Sequence, residues 1–292
     1  MSSHSSSQTA DLSTTKNEAN ASIPPNRAIM MGSTVSPGDS TLQDDGLATL
    51  PSVDFSALQK DMLSRLALGT GEWFFSSDMF QNWAIQKSAS KTLWLTAELG
   101  VGKTGLTTRV IEELKKREQT TPGMFVAYVY CREFGLESVA DLLLALIKQH
   151  LEHDPSVLNL IEPIIARHRR DHTIPSQKEL LDVLQKISKQ AGLTSFYVLE
   201  GLEAAPRDVS FDIFSAFASV DANFFVTSRP LPRQQNPIPN VEFHDYRAHS
   251  SDLRIIIDQT IDKHERVARL ADNWKGLRDE IKAVISDTCN GK

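Results

Sequence analysis

Eight consecutive residues, Ala97-Glu98-Leu99-Gly100-Val101-Gly102-Lys103-Thr104, carry the most specific chemistry in the sequence. Two glycines let a backbone curl until successive N–H groups point inward and form a nest for anionic oxygens. A helix that starts directly after such a turn adds its unpaired N-terminal N–H groups and the positive end of its dipole. Lys103 then supplies a mobile cation for the β- and γ-phosphates of a nucleotide, and the Thr104 hydroxyl a hard oxygen ligand for Mg²⁺. Ala97, Gly100, Val101, Gly102, Lys103, Thr104 and Gly105 are therefore the candidate phosphate-binding residues. Ala97 stands where a P-loop usually starts with glycine, which is tolerable if its φ is negative. Glu98 must face solvent, because a carboxylate close to a triphosphate repels it.

The elements around this turn are the ones it needs. Thr92–Thr96 is a short β-branched, aromatic and aliphatic run, predicting a buried strand; Leu106, Val110, Ile111 and Leu114 then fall on one helical face. Further strands are expected at Met124–Cys131, Ser195–Leu199, Asn223–Val226 and Val241–Phe243. Helices are expected between them: Val139 to about His150, Pro155–His168 with a kink or split at Pro163, a capping box opening at Ser176, and Phe211–Phe217. Asp252–Leu270 is expected as one long helix and Leu277–Ile285 as a last one. Strands alternating with helices predict an α/β fold, a P-loop NTPase with a parallel sheet and helices on both faces. Ligands bind such sheets at the carboxyl ends of the strands. The polar clusters AELGVGKT, EGLEA and TSRP each follow a strand directly, which points to one shared site. Within EGLEA, Glu200 is the candidate Mg²⁺-associated acid, on the expectation that its strand neighbours the P-loop strand.

Composition narrows the setting. The 292 residues are 40% hydrophobic and 23% charged, with a net charge of −6 and no extended basic block, so neither nucleic acid nor an anionic membrane is an expected partner. No apolar stretch is long enough for a membrane span, and the N-terminus lacks a signal-peptide core, giving a cytoplasmic expectation. Cys131 and Cys289 are far apart and form no disulfide or metal pattern; Cys131 reads as a core thiol. His168 and His172 lack a third ligand at suitable spacing and read as a solvated helix end. Residues 1–52, rich in Ser, Thr, Asn, Asp and Pro, are expected to be a disordered tail. A helical leading segment over 53–90 follows, with a helix over Asp54–Leu68. Its aromatic stretch Trp73, Phe74, Phe75, Phe80 and Trp83 reads as a core stripe rather than a docking surface. The P-loop core is placed at 91–248 and a C-terminal helical segment at 249–292.

Several of these motifs, in this order, resemble the fungal NACHT-type NTPases of the STAND class, in particular their nephrocystin-3-like N-terminal domain. The resemblance runs from about Leu68 to Ile285. It rests on Gly69-Thr70-Gly71-Glu72-Trp73 with Phe80 and Trp83, the P-loop, Tyr128–Cys131, the Walker B-like segment at Glu200, and Thr227-Ser228-Arg229-Pro230. It implies that Arg229 senses the γ-phosphate. It also aligns Glu200 with the family's Mg²⁺-associated aspartate, Glu203 with a second aspartate and Ala204 with a glutamate. Glu200 and Glu203 are the catalytic candidates that remain, and Thr104 and Glu200 the metal candidates. Glu200, one methylene longer, is expected to crowd the metal's water shell, and Ala204 removes a proton acceptor. The implied function is a switch that binds ATP or GTP with Mg²⁺ and hydrolyses it weakly or not at all, with a second copy or a related NTPase as partner. The alternative is a degenerate P-loop scaffold acting only through protein contacts; a small-molecule kinase lacks an acceptor-site signature. Family members continue into a winged helix and repeats. No such repeat is seen here, and the sequence ends about where the NTPase module would pass into its next part, as a truncated relative, a fragment or a genuine short form would.

Overall fold

The computed structural model describes residues 54–135, 137–206, 212–213, 215–230 and 241–289. The expected tail, the loop over Leu231–Pro239 and the helix start at Phe211 lie outside the described residues.

Five strands form one all-parallel sheet: β1 (Thr92–Thr96), β2 (Met124–Tyr130), β3 (Thr194–Glu200), β4 (Ala222–Ser228) and β5 (Val241–Asp245), in the order β2-β3-β4-β1-β5. The three strands β2, β3 and β4 are apolar and buried nearly throughout, as strands covered on both sides must be. Glu200 ends β3, and β4 stands between it and the P-loop strand. The expectation that its strand neighbours β1 is thus corrected.

The register sorts side chains onto two faces. Leu93 lies level with Phe225, and Phe225 with Val198, so these share a face with Phe196, Thr227 and Tyr130. Four helices cover that face: α1 (Phe55–Arg65), α2 (Glu72–Phe75), α3 (Asp78–Ala84) and α4 (Lys103–Thr120). Phe74 and Trp83 pack their rings on Phe225, Trp83 also meets Phe196, and Tyr130 bonds Thr108 of α4. The aromatic stripe is core at Phe74, Phe80 and Trp83, as expected. The opposite face, with Phe125, Tyr197 and Phe224, carries α6 (Val139–His153), through His150 on Tyr197, and Phe217 on Phe224. Before α6 comes a short α5 (Cys131–Phe134), and after it α7 (Leu158–Asp171) and α8 (Gln177–Ser188). Capping boxes at Ser138 and Ser176 open α6 and α8. Cys131 is fully buried, and His168 is hydrogen-bonded to Glu179 and Thr173.

Two helix expectations change. Pro163 sits inside an unbroken α7. It and Asn159, the residue whose carbonyl loses its partner, are exposed, so water replaces the bond. The long C-terminal helix is two, α9 (Ser250–Lys263) and α10 (Glu265–Asn273), broken at His264 and followed by α11 (Leu277–Cys289). Ile257, Ile261 and Ala271 form a small buried cluster. In one straight helix Ile257 and Ala271 would be about 21 Å apart, so the break is what lets them meet. No helix among the described residues is long and apolar enough to cross a membrane.

Candidate functional site

β1 delivers the glycine turn to the carboxyl end of the sheet, where the Ala97 N–H donates to the Ser228 carbonyl of β4 at 3.0 Å. Ala97 is buried with negative φ, so the missing glycine imposes no strain there. Gly100 and Gly102 do require glycine: their φ values are 87° and 95°, in the left-handed region. Gly102 also caps α4 without a side chain, which leaves the first-turn N–H groups to an anion. Glu98 is exposed, as the repulsion argument demands.

Lys103 opens α4 and turns its ammonium back across the loop, donating to the carbonyls of Ala97 at 2.6 Å and Glu98 at 2.8 Å. Burial lowers its pKa from the usual lysine value. Glu203, Glu200 and Glu98 pull in the opposite direction, and Arg229 adds to the lowering. Those four charges converge on one ammonium from the ends of three different strands, so the three polar clusters do meet. Thr104 donates its hydroxyl to Glu200 Oε1 at 2.5 Å. That carboxyl is only 6% exposed, and burial pushes its pKa up, against the pull of the Thr104 bond; Glu133 and Glu203 raise it further and Arg132 lowers it. The extra methylene of Glu200 thus spans the gap from β3 to the P-loop helix. Glu203, in the 3-10 turn Leu202–Ala204, accepts from the Arg229 N–H at 3.1 Å and lies 3.4 Å from Arg229 Nε. Its carboxylate is committed to holding Arg229. Ala204 ends the turn and offers no side-chain acceptor.

Mg²⁺ fits the donor set. A hydroxyl that donates to a buried carboxylate keeps its oxygen lone pairs for a hard cation, and Thr104 and Glu200 offer only oxygen donors.

Beside the glycine turn lies a cavity of about 370 Å³, within the range of roughly 300–1,000 Å³ for small-molecule sites. Its walls are Gly100–Gly102 and Gly105, the Leu66–Ala67 end of α1's following segment, and Tyr246, His249, Asp252 and Gln259. The sequence reading missed this second half of the site. Asp252 of α9 accepts from the Gly71 N–H at 3.1 Å and from Trp73 Nε1 at 2.9 Å. Trp73 stacks on His249, ring centres 4.6 Å apart, and lies parallel to Tyr246. The signal was present: Tyr246 to His249 is a polar, aromatic cluster directly after β5, as the other three clusters follow their strands. Arg132 and Glu133, just beyond the end of β2, also act on the Glu200 carboxyl and were not among the expected site residues.

Strand, positive-φ glycine turn and Lys-Thr at a helix start, on a parallel sheet covered on both faces, define a P-loop NTPase fold. The chain belongs to the family described as nephrocystin 3, N-terminal, which matches residues 69–229, more than half of its length. The match stops at Arg229, before β5 and α9. No curated protein matches by sequence. Similar solved structures include the Drosophila origin recognition complex bound to DNA, at 16% identity and a TM-score of 0.43 over 88% of this chain and 66% of that one. Cdc6p from Pyrobaculum aerophilum gives 15% and 0.43, over 70% of this chain and 52% of that one. A signal transduction ATPase with numerous domains and a tetratricopeptide repeat sensor, from Pyrococcus horikoshii, gives 14% and 0.35, over 66% of this chain and 27% of that one. This chain thus spans only part of each, and likenesses of this size carry no functional argument.

Proposed function

We propose that the chain is a nucleotide-binding switch module of the STAND class, of the fungal NACHT type, taking ATP or GTP with Mg²⁺ and turning it over slowly or not at all. The observation that carries this reading is the convergence of Lys103, Thr104, Glu200 and the Arg229–Glu203 pair at the mouth of a positive-φ glycine nest, beside a cavity of nucleoside size. In it, the backbone N–H groups of the turn and the start of α4 hold the phosphates. Lys103 exchanges two carbonyl acceptors for phosphate oxygens, a stronger charge-assisted pairing. Thr104 and Glu200 would hold Mg²⁺, which when bound neutralises charge on the β- and γ-phosphates. Arg229, steadied by Glu203, faces the same region as a sensor, and the base and ribose take the adjoining cavity. A partner NTPase or second copy, in the cytoplasm, would read the occupied state.

Turnover is the weak function. Attack on the γ-phosphate needs a group that orients water; Ala204 has none and Glu203 is bound to Arg229. Loss of such a group costs roughly 10²- to 10⁴-fold in rate. The test has two parts. Titration with ATP, ADP and GTP, with and without Mg²⁺, should show saturable binding; none of them binding would favour the scaffold reading. Single-turnover phosphate release should stay near background and rise in the double variant Glu200→Asp, Ala204→Glu. Turnover on the order of one per second in the unaltered chain would refute the slow-hydrolysis part.

A further inference from the structure

Gln259, on α9, pairs with the main chain of one residue, as Gln149 of α6 does with Tyr128. Its Oε1 accepts from the Leu68 N–H at 3.0 Å, and its Nε2 donates to the Leu68 carbonyl at 2.8 Å. One carboxamide therefore reads both main-chain groups of a single residue, and the Leu68 side chain itself is left 76% exposed. Gln259 and Ala67, the residue before Leu68, both line the cavity that the glycine turn also lines. The edge of a purine base offers the same chemistry as this carboxamide: an acceptor atom beside an N–H donor.

We propose that Gln259 is a built-in competitor for the base: it holds the Leu68 backbone edge until a purine nucleotide enters and takes that edge over, releasing this part of α9. The idea rests on the nucleotide-binding reading above. Asp252 lies seven positions, about two helical turns, from Gln259 on the same helix, so both project toward the segment over Leu68–Trp73. Asp252 fixes one end of α9 to that segment, while Gln259 ties the next turns through neutral bonds that a base can replace one for one. Base entry then loosens the stretch of α9 that leads, through Ile257 and Ile261, into the cluster with Ala271 of α10. Occupancy of the cavity is thereby reported to the C-terminal helices. Phosphate alone, held at the glycine turn, does not reach Leu68 and does not trigger the release.

The test is calorimetric titration of the full chain with MgATP and, separately, with inorganic tripolyphosphate. Gln259→Ala removes the competitor and should bind ATP roughly five- to tenfold tighter, the scale set by two neutral hydrogen bonds, with tripolyphosphate affinity unchanged. Gln259→Glu keeps the shape but cannot donate to the Leu68 carbonyl, and should shift the ATP-to-tripolyphosphate ratio in the same direction. A merely structural role would move both ligands together. ATP affinity in Gln259→Ala equal to or weaker than wild type, with tripolyphosphate still bound, overturns the proposal and leaves the P-loop reading standing. If neither ligand binds any version, wild type included, both fall.

Discussion

Lys103 carries a charge that its surroundings both disfavour and use. Burial lowers its pKa, yet two carbonyls and three nearby carboxylates keep a role for the ammonium. Removing it leaves a bound triphosphate without one charge-assisted contact of roughly 1.5–3 kcal/mol. Lys103→Ala should weaken ATP binding on the order of tenfold to a hundredfold, read by calorimetry. Glu200 behaves in the opposite sense, because its carboxyl pKa is raised in the fold. Its folded form favours the proton, so its contribution to stability is best below the ordinary value of 4.5 and falls as pH rises through the folded pKa. Glu200→Gln keeps an acceptor for Thr104 without the buried charge. It should stabilise the nucleotide-free protein at neutral pH, lose that advantage once the pH drops below about 4, and bind ATP with little dependence on Mg²⁺. Urea unfolding at the two pH values, paired with titrations in EDTA, checks both halves.

At the scale of elements, the strands were legible and their joints were not. Buried parallel strands announce themselves as short apolar runs bounded by polar turns, and all five expected strands exist, no end shifted by more than two residues. The sequence does not show how β2 finishes the sheet. On this edge strand the Val126 N–H donates to Glu118 of α4. Gln149 of α6 takes both the N–H and the carbonyl of Tyr128. A carboxylate and a carboxamide thus cover part of an edge that would otherwise invite another strand. The start of the same pair depends on one glycine. Gly123 has φ of 75°, and an added Cβ would lie 1.9 Å from the Gly192 carbonyl oxygen, next to the bond from the Thr194 N–H to the Gly123 carbonyl. Gly123→Ala should cost at least about 2 kcal/mol, combining left-handed strain with the overlap. Gly135, also at positive φ but with nothing within 4 Å, isolates the strain alone. Its alanine variant should cost only about 1–2 kcal/mol. Denaturant curves on the two variants separate the contributions.

At the scale of the whole molecule, half of the candidate site was hidden because it is assembled from residues far apart in the sequence. The glycine turn, Lys103 and Thr104 are adjacent and obey a local spacing rule, so they could be read directly. Asp252 meets Gly71 and Trp73 across 181 and 179 positions, and no local pattern encodes that meeting. One carboxylate there accepts from a main-chain N–H and an indole N–H, beside a Trp73–His249 stack. Together with Gln259 on Leu68, it ties the C-terminal helices to the segment ahead of the P-loop strand, while those helices keep a small cluster of their own in Ile257, Ile261 and Ala271. Asp252→Ala removes the charged partner of two donors, a loss of roughly 1.5–3 kcal/mol for each bond to a charged group at most. The loss should fall on the attachment and spare the sheet, because the buried strands do not depend on it. Hydrogen exchange should quicken in α9, α10 and α11 well before it quickens in β1 to β4. If the base takes the cavity as proposed, binding of ATP should weaken more than binding of tripolyphosphate, which would use the glycine turn and Lys103 alone. Equal acceleration across the sheet and the C-terminal helices would show instead that Asp252 supports the fold as one cooperative unit.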